Sequence, residues 1–297
     1  QAPFDAEAAK KYLPVDIYVG GPEHATMHLL YFRFWYRVMK ELGLTQSDEP
    51  VKRLITQGIV NGPDGRKMSK RWGNVVAPSE IVSEYGADTA RLYVLFAGPP
   101  QQDFNWSSEQ VEGAFRFLKR VYALAVTHRG ATAANEANAL EIRKHTHKAI
   151  KRVTEAIERL SFNTAIAGTM EFVNALYLVQ KPDAAAIREA VTTLARLLSP
   201  FAPHIADEIC EGYGAKTMLI DEPWPTFDPA LVVNDLKTYG IQVNGKLRGE
   251  ITVPIAAGEA EVRAAAEADD KVKAAIAGKT VRKFVFVPGK VVNFVVG

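Results

Sequence analysis

Between Pro99-Pro100 and Glu222-Pro223-Trp224-Pro225, apolar residues return again and again at helical spacing. Val111 to Leu118 opens the first tract, and Ile142, Ala149, Val153, Ile157 and Leu160 form the stripe of a second. Phe162 to Leu178 and Ile187 to Leu198 repeat the pattern, and Pro200 and Pro203 break it before a last segment from Ile205 to Ile209. An amphipathic helix has one stripe to bury, so successive helices with short connections must bury their stripes against one another. The pattern therefore predicts a bundle of four or five antiparallel helices.

The flanks follow other periods. On the N-terminal side Val15 to Val19 reads as a strand closed by Gly20-Gly21-Pro22, Ala25 to Leu42 as a helix stopped by Gly43, and Leu54 to Val60 as a second strand. A polar, glycine-rich loop follows from Asn61 to Asn74, then a helix from Pro78 to Tyr85, with Asp88 placed to cap another helix through Arg91, Leu92 and Leu95. Strand, helix, strand, loop and helix is the rhythm of a parallel α/β unit, and two strands are fewer than a doubly wound sheet uses. On the C-terminal side, Ile241 to Val253 reads as a hairpin turning at Asn244-Gly245, Glu259 to Ala277 as a helix, and Val281 to Val296 as two strands around Pro288-Gly289. A multidomain chain divided into residues 1–110, 111–232 and 233–297 is expected.

A net charge of +2 means that affinity for nucleic acid must come from local basic patches. Cys210, the single cysteine, has no partner for an internal disulfide, excludes a cysteine-built zinc cluster and suits a reducing, cytoplasmic setting. No apolar run approaches the ~20 residues that span a bilayer, and the first residues, Gln1 to Asp5, lack the basic and apolar regions of a signal peptide. A soluble protein with no membrane association is expected.

The densest chemistry lies in Gly65-Arg66-Lys67-Met68-Ser69-Lys70-Arg71, where four cations sit among seven residues after a strand and before a helix. Such a loop is either a solvated basic turn or a ligand for a polyphosphate, offering ammonium groups and a hydroxyl as pyrophosphate leaves. A second constellation is Gly20-Gly21-Pro22-Glu23-His24 with His28; spacing i, i+4 puts both imidazoles on one helix face at a strand mouth. Paired packing histidines and a metal pair are the competing readings of that spacing, and the order His-Glu-x-x-His of zinc proteases is absent.

Lys67-Met68-Ser69-Lys70-Arg71 resembles the Lys-Met-Ser-Lys-Ser signature of class I aminoacyl-tRNA synthetases, and the likeness continues through Trp72-Gly73-Asn74-Val75-Val76 and Tyr85 to Leu92. Arg71 departs from the usual serine. Asp16 to Ala25 with His28 to Phe34 is similar to the leucyl-tRNA synthetases of that class, and Leu198 to Glu208 to the Pro-Phe-x-Pro-His stretch of their anticodon-binding bundle. Val243 to Gly249 and Val281 to Lys290 look like the C-terminal appendage of the bacterial members.

The resemblance implies a partial α/β Rossmann-like catalytic half with the signature loop, an α-helical anticodon-binding bundle and a small α+β tRNA-binding domain. It implies adenylate formation from ATP with Mg²⁺ and transfer of leucine to tRNA(Leu). Lys67, Ser69 and Lys70 become the catalytic loop residues, Lys67 and Lys70 with Gly20, Gly21 and Glu23 the ATP-side residues, and His24 and His28 the wall of the leucine pocket, with no resident metal. Lys246, Arg248, Arg282, Lys283 and Lys290 become candidate tRNA contacts in a segment (Ile241 to Gly297) holding nine Lys/Arg against six Asp/Glu. Lys144, Lys148, Lys151 and Arg152 are further candidates on the bundle, and His204 is read as a packing residue of a proline-kinked helix. No His-x-Gly-His segment, zinc module or editing insertion is present. The chain is therefore expected to be an excised fragment or one subunit of a split enzyme, inactive alone and completed by an N-terminal chain. A valine- or isoleucine-specific relative and a non-catalytic tRNA-binding module are the alternatives.

Overall fold

A computed structural model describes residues 3–233, 236–254, 257–287 and 291–297. Two compact units emerge, Gln1–Leu231 and Val232–Gly297.

The first unit opens with helix α1 (Ala6–Tyr12), capped by Asp5, whose carboxylate accepts from the Ala8 amide at 2.7 Å. Strand β1 (Val15–Gly20), a 3₁₀ turn (Pro22–Thr26), helix α2 (His28–Glu41) and strand β2 (Val51–Thr56) then form a β-α-β crossover. β1 and β2 pair in parallel, from Val15 with Val51 to Gly20 with Thr56. The second expected strand does not run unbroken to Val60. It ends at Thr56, and Val60–Asn61 (β3) pairs instead with Phe104–Asn105 (β4). The cause lies at Gly58, whose amide donates to the Pro100 carbonyl at 2.8 Å and where a Cβ would sit 2.2 Å from the Gln102 carbonyl group. Only glycine lets the two backbones approach so closely. The Asp103 carboxylate accepts from the next amide, Ile59, at 2.6 Å.

Helices α3 (Pro78–Tyr85) and α4 (Ala87–Phe96) lead into the bundle of α5 (Ser108–His128), α6 (Glu136–Glu158), α7 (Phe162–Leu178), α8 (Ala184–Leu198) and α9 (Pro203–Gly212). The bundle helices bury the stripes seen in the sequence, except that α6 ends at Glu158 and leaves Leu160 in the turn beyond it at φ 58°; Leu124, Ile142, Val153, Ile166, Leu176 and Leu194 are fully buried. One apolar core includes Ile81, Leu92 and Tyr93 from α3 and α4 together with the bundle side chains. Residues 76–106 thus share a continuous core with the bundle.

Asp88 does something other than cap its own helix. The residue before α4 is Gly86, which makes no side-chain cap, and α9 likewise begins at Ala202 without a capping side chain. Asp88 reaches across to α9, accepting from the Ile205 amide at 2.7 Å, the His204 amide at 3.4 Å and His204 Nδ1 at 2.8 Å. His204 is therefore not a packed residue: its side chain is 76% exposed and held by this carboxylate. Arg91, one turn along α4, donates to the Pro200 carbonyl at 3.0 Å.

The second unit is a sheet of order β6-β5-β8-β7 with two helices. Strands β5 (Leu236–Val243) and β6 (Lys246–Pro254) form the expected hairpin, and Asn244 and Gly245 carry φ of 47° and 77°, the left-handed geometry of its tight turn. The single helix expected from Glu259 to Ala277 is two, α10 (Glu259–Ala268) and α11 (Asp270–Ile276), because Asp269 stops one and caps the other by accepting from the Lys271 and Val272 amides. Strands β7 (Val281–Val287) and β8 (Val291–Val296) complete the sheet, with β8 parallel to β5; Pro288-Gly289 lies outside the described residues. Ile241, Val262, Val272, Val292 and Phe294 fill its core.

Removing the cap on α9 leaves its first amides without an acceptor, so Asp88→Ala is expected to destabilise the first unit by about 1–2 kcal/mol in denaturant unfolding. Asp88→Asn, which keeps an acceptor oxygen, should recover part of that loss.

Candidate functional site

The loop after β3 folds back on itself. Asn61 bridges to Lys67, the Gly62 amide donates to the Arg66 carbonyl at 2.8 Å, and Gly65 turns the chain at φ 75°. Lys70–Trp72 forms a 3₁₀ turn that Ser69 opens, its hydroxyl accepting from the Arg71 amide at 3.2 Å, and Gly73 closes it at φ 64°. The four cations divide into two kinds. Arg66 pairs with Asp64 at 2.6 Å and lies 4.8 Å from the centre of the Trp72 ring, while Arg71 lies 5.2 Å from the same ring. Lys67 and Lys70 are exposed, and among the described residues neither forms an ion pair. Cation–π contact with an indole fixes a guanidinium without neutralising it. The arginines brace the loop and the lysines carry its uncommitted charge.

Asn74 and Arg66 donate to Asp64, the amide of Asn74 being the larger influence, and hold its carboxyl at about 2. A carboxyl held that low is ionised at neutral pH.

At the mouth of β1, Gly20 pairs with Thr56 and its carbonyl accepts from the Gln57 amide at 3.0 Å, so the two strand ends stay side by side. Glu23 folds over Gly21, where a Cβ would stand 2.4 Å from its carboxylate oxygen. The two histidines do not share one continuous helix face. His24 lies in the 3₁₀ turn and His28 is the first residue of α2, with Met27 between the elements at φ −122° and ψ −105°. They meet all the same, ring centres 6.0 Å apart and edge to face. His24 Nδ1 is buried with no hydrogen-bond partner.

Tyr18, which the sequence reading passed over, completes this cluster. Its hydroxyl is 2.5 Å from His28 Nε2, and its ring lies 5.9 Å from His28 and 5.5 Å from Phe32. The signal was available: residues two apart on a strand share a face, so Tyr18 stands beside Gly20. A groove of about 410 Å³ runs nearby between α2 and β2, lined by Ala25, Leu29, Leu30, Arg33, Phe34, Arg37 and Leu54. Glu49, held at about 2 chiefly by its hydrogen bonds from Arg33, anchors both arginines of that rim. Ile17 and Val19 on β1, and Leu30, Tyr31, Phe34 and Trp35 on α2, are exposed.

In the second unit Lys246 and Arg248 line a groove of about 710 Å³ together with Lys271 and Lys279, two cations the sequence reading did not single out. Arg282 and Lys283 are exposed on β7, at the opposite edge of the sheet from β6. Lys290 lies outside the described residues. On the bundle, Arg152 pairs with Glu171, and Lys151 approaches Glu155 at 4.0 Å and the Phe227 ring at 5.8 Å. Lys148, His145 and Arg152 border a groove of about 320 Å³ between α6 and α7. Among the described residues no group of three or more His, Cys, Asp or Glu is placed to hold a metal ion.

Residues 1–107 match the family model described as tRNA synthetases class I (I, L, M and V), and residues 139–263 match the anticodon-binding domain of tRNA ligase. The leucine–tRNA ligase of Geobacter sp. (strain M21) is 48% identical over 307 residues, 99% of this chain and 37% of that protein. That of Bdellovibrio bacteriovorus is 44% identical over 297 residues, 100% of this chain and 37% of that protein. The chain thus spans 37% of the length of these curated relatives. Among solved structures, the Agrobacterium radiobacter K84 agnB2 LeuRS–tRNA–LeuAMS ternary complex superposes with a TM-score of 0.81 at 35% identity, covering 99% of this chain and 40% of that one. A Mycobacterium tuberculosis methionyl-tRNA synthetase bound by methionyl-adenylate superposes at 0.55 and 19% identity over 68% of this chain and 45% of that one, a likeness of fold.

A ¹³C titration of Asp64 should give a midpoint near 2. Because folding depresses this pKa, its stabilising contribution is present above the ordinary carboxylate value and is lost as pH falls through about 2. A midpoint near the ordinary value of ~3.9 would mean that the Asn74 and Arg66 contacts do not persist in solution.

Proposed function

We propose that this chain, a homologue along its whole length of the C-terminal part of leucine–tRNA ligases, carries the phosphate-facing half of a leucyl-adenylate site together with the ligase's tRNA-binding modules. In this reading residues 1–110 supply the later half of the catalytic domain, 111–232 the anticodon-binding bundle and 233–297 a small tRNA-binding domain.

The division of charge in the signature loop carries the proposal. A leucine carboxylate oxygen attacks the α-phosphorus of ATP, the bond from that phosphorus to the bridging oxygen breaks, and pyrophosphate leaves with the electron pair. Charge grows on the departing phosphates, and Lys67 and Lys70 are the loop's exposed, uncommitted cations that meet it, with Ser69 as a hydroxyl donor. Mg²⁺ comes with ATP as part of the substrate. A ribose hydroxyl of the terminal adenosine of tRNA(Leu) then attacks the activated carbonyl and AMP departs. Neither step calls for a protein nucleophile; both call for placement and charge.

Gly20 and Gly21 let a ligand approach the backbone at the strand mouth, with Glu23 folded beside them. His24 and His28, joined by Tyr18, form the aromatic wall for the leucine side chain. The exposed Ile17 and Val19 on β1, and Tyr31, Phe34 and Trp35 on α2, are surfaces for the complementary, N-terminal part of the catalytic domain to cover, since exposed large apolar side chains of this number suit a protein contact. Lys246 and Arg248, joined by Lys271 and Lys279, meet the tRNA backbone, and Arg282, Lys283 and Lys290 are further candidate contacts. No described helix is long and apolar enough to cross a membrane, and a cytoplasmic site of action goes with this reading.

Leucine-dependent ATP–pyrophosphate exchange tests the proposal in the ligase completed by the remaining catalytic part. Lys70→Ala is expected to lower the exchange rate about 100-fold, the usual scale for losing one transition-state charge contact, and Lys67→Ala should also lower it. The chain by itself should give no exchange. An unaffected Lys67→Ala/Lys70→Ala double variant would favour a non-catalytic tRNA-binding module, and exchange driven by valine or isoleucine in place of leucine would reassign the pocket.

A further inference from the structure

We propose that Asn74 is the positioning residue of the signature loop, a pin that keeps Lys67 and Lys70 presented to a polyphosphate before any ligand arrives. The polyphosphate rests on the function proposed above; the pin itself rests on geometry alone.

Asn74 sits just after Gly73, where the loop leaves its 3₁₀ turn, and its side-chain amide spans the loop's base. Its Oδ1 accepts from the Ser69 amide at 2.9 Å. Its Nδ2 donates to Asp64 Oδ1 at 2.9 Å and lies 3.4 Å from both the Arg66 and the Lys67 carbonyls. One side chain thereby fixes the residue before the first lysine, the backbone of that lysine, and the serine that precedes the second. A carboxamide is suited to this because it carries an acceptor and two donors on one planar group. Aspartate would lack the donors and place a second carboxylate against Asp64. Alanine would leave the Ser69 amide without its acceptor and the Lys67 carbonyl without this donor, while the Arg66 carbonyl would keep the Gly62 amide.

The loop also makes room for this side chain. At Gly62 a Cβ would stand 2.8 Å from Asn74 Nδ2 and 2.9 Å from the Asn74 carbonyl oxygen, so any larger residue there would dislodge the carboxamide. A loop with left-handed glycines at 65 and 73 has much conformational freedom to lose on binding. Asn74 removes part of that freedom in the free protein. It acts inside the loop while the arginines are braced on Trp72, which leaves the two lysines as the groups able to answer a ligand. Asn74 itself need touch no substrate.

Two measurements test this. In the chain as it stands, NMR amide exchange should show the Ser69 amide exchanging at least about tenfold faster in Asn74→Ala than in the unaltered protein, as befits a local opening. Gly62→Ala, which keeps the asparagine and unseats it, should do the same, whereas Lys70→Ala should leave Ser69 protected. Core amides of the bundle report in each variant that the unit is folded. In the completed ligase, Asn74→Ala should raise the KM for ATP about tenfold in pyrophosphate exchange through loss of preorganisation, with the KM for leucine unchanged.

Wild-type Ser69 exchange in Asn74→Ala overturns the pin. Faster Ser69 exchange with an unaltered KM for ATP, in a ligase that Lys70→Ala inactivates, overturns its positioning role. A ligase indifferent to Lys70→Ala instead overturns the function proposed for the loop, while the Ser69 measurement still decides for or against Asn74 as its pin.

Discussion

The amides that begin α9 find no acceptor in the turn before them, and a carboxylate from a helix more than a hundred residues earlier supplies one. Through Asp88, the region that carries the signature loop is tied to the bundle by bonds at 2.7 and 2.8 Å, and Arg91 adds a second tie to the Pro200 carbonyl. Leu92 and Tyr93, on the same short helix, are buried in the common core, and the Tyr93 hydroxyl accepts from the Ser107 amide at the start of α5. Apolar burial supplies most of the adhesion and has little direction. The hydrogen bonds give the direction, because a helix start can be capped in only one orientation. α4, α9 and the start of α5 are thus placed relative to one another by a few polar contacts set in an apolar joint.

Inside the loop the same economy appears on a smaller scale. A run of four cations would repel itself and sample many shapes were all four left alone. Trp72 takes two guanidiniums, and Asp64 neutralises one of them. What the loop then presents outward is two ammonium groups on flexible stems. Arg71 stands where the resembling signature has serine, and its place on Trp72 gives that departure a physical role: it adds bracing and leaves the lysine pair alone. Arginine suits a stacked, braced position, and lysine suits a compact charge that can move to meet a phosphate.

What could be read from the sequence was whatever is decided locally. The bounds of α3 and α7 follow from proline, glycine and a clear apolar stripe, and the Asn244-Gly245 turn follows from the φ values only such residues adopt readily. What escaped was decided by distant partners. The strand expected to run on to Val60 breaks because segment 100–105 claims Gly58 and Ile59, and no local pattern announces that claim. Asp88 looked like a cap for its own helix and proved to cap another. Spacing brought His24 and His28 together correctly, but by way of a bend rather than one helix, and Tyr18 joined them from a strand. Lys271 and Lys279 escaped because their meeting with Lys246 and Arg248 depends on how α11 lies beside the hairpin.

Two kinds of exposed surface remain, and their chemistry separates them. On β1 and α2 the exposed groups are large and apolar, with Glu49 holding Arg33 and Arg37 at the rim, so water is a poor long-term neighbour there and protein a good one. At the signature loop and along the β5–β6 hairpin the exposed groups include the ammonium and guanidinium groups of Lys67, Lys70, Lys246 and Arg248, well hydrated alone and well matched by phosphate. The candidates on the bundle fall between the two: Arg152 is already matched by Glu171, and Lys151 leans on Phe227 in the segment that Trp224 fastens to α6 through Thr154. A cation committed to its own fold has less to offer a phosphate than one left to water. By that measure Lys67 and Lys70 of the loop are less committed than Arg152 and Lys151 on α6, while in the second unit's groove Lys279 already donates to the Ala275 carbonyl at 2.9 Å.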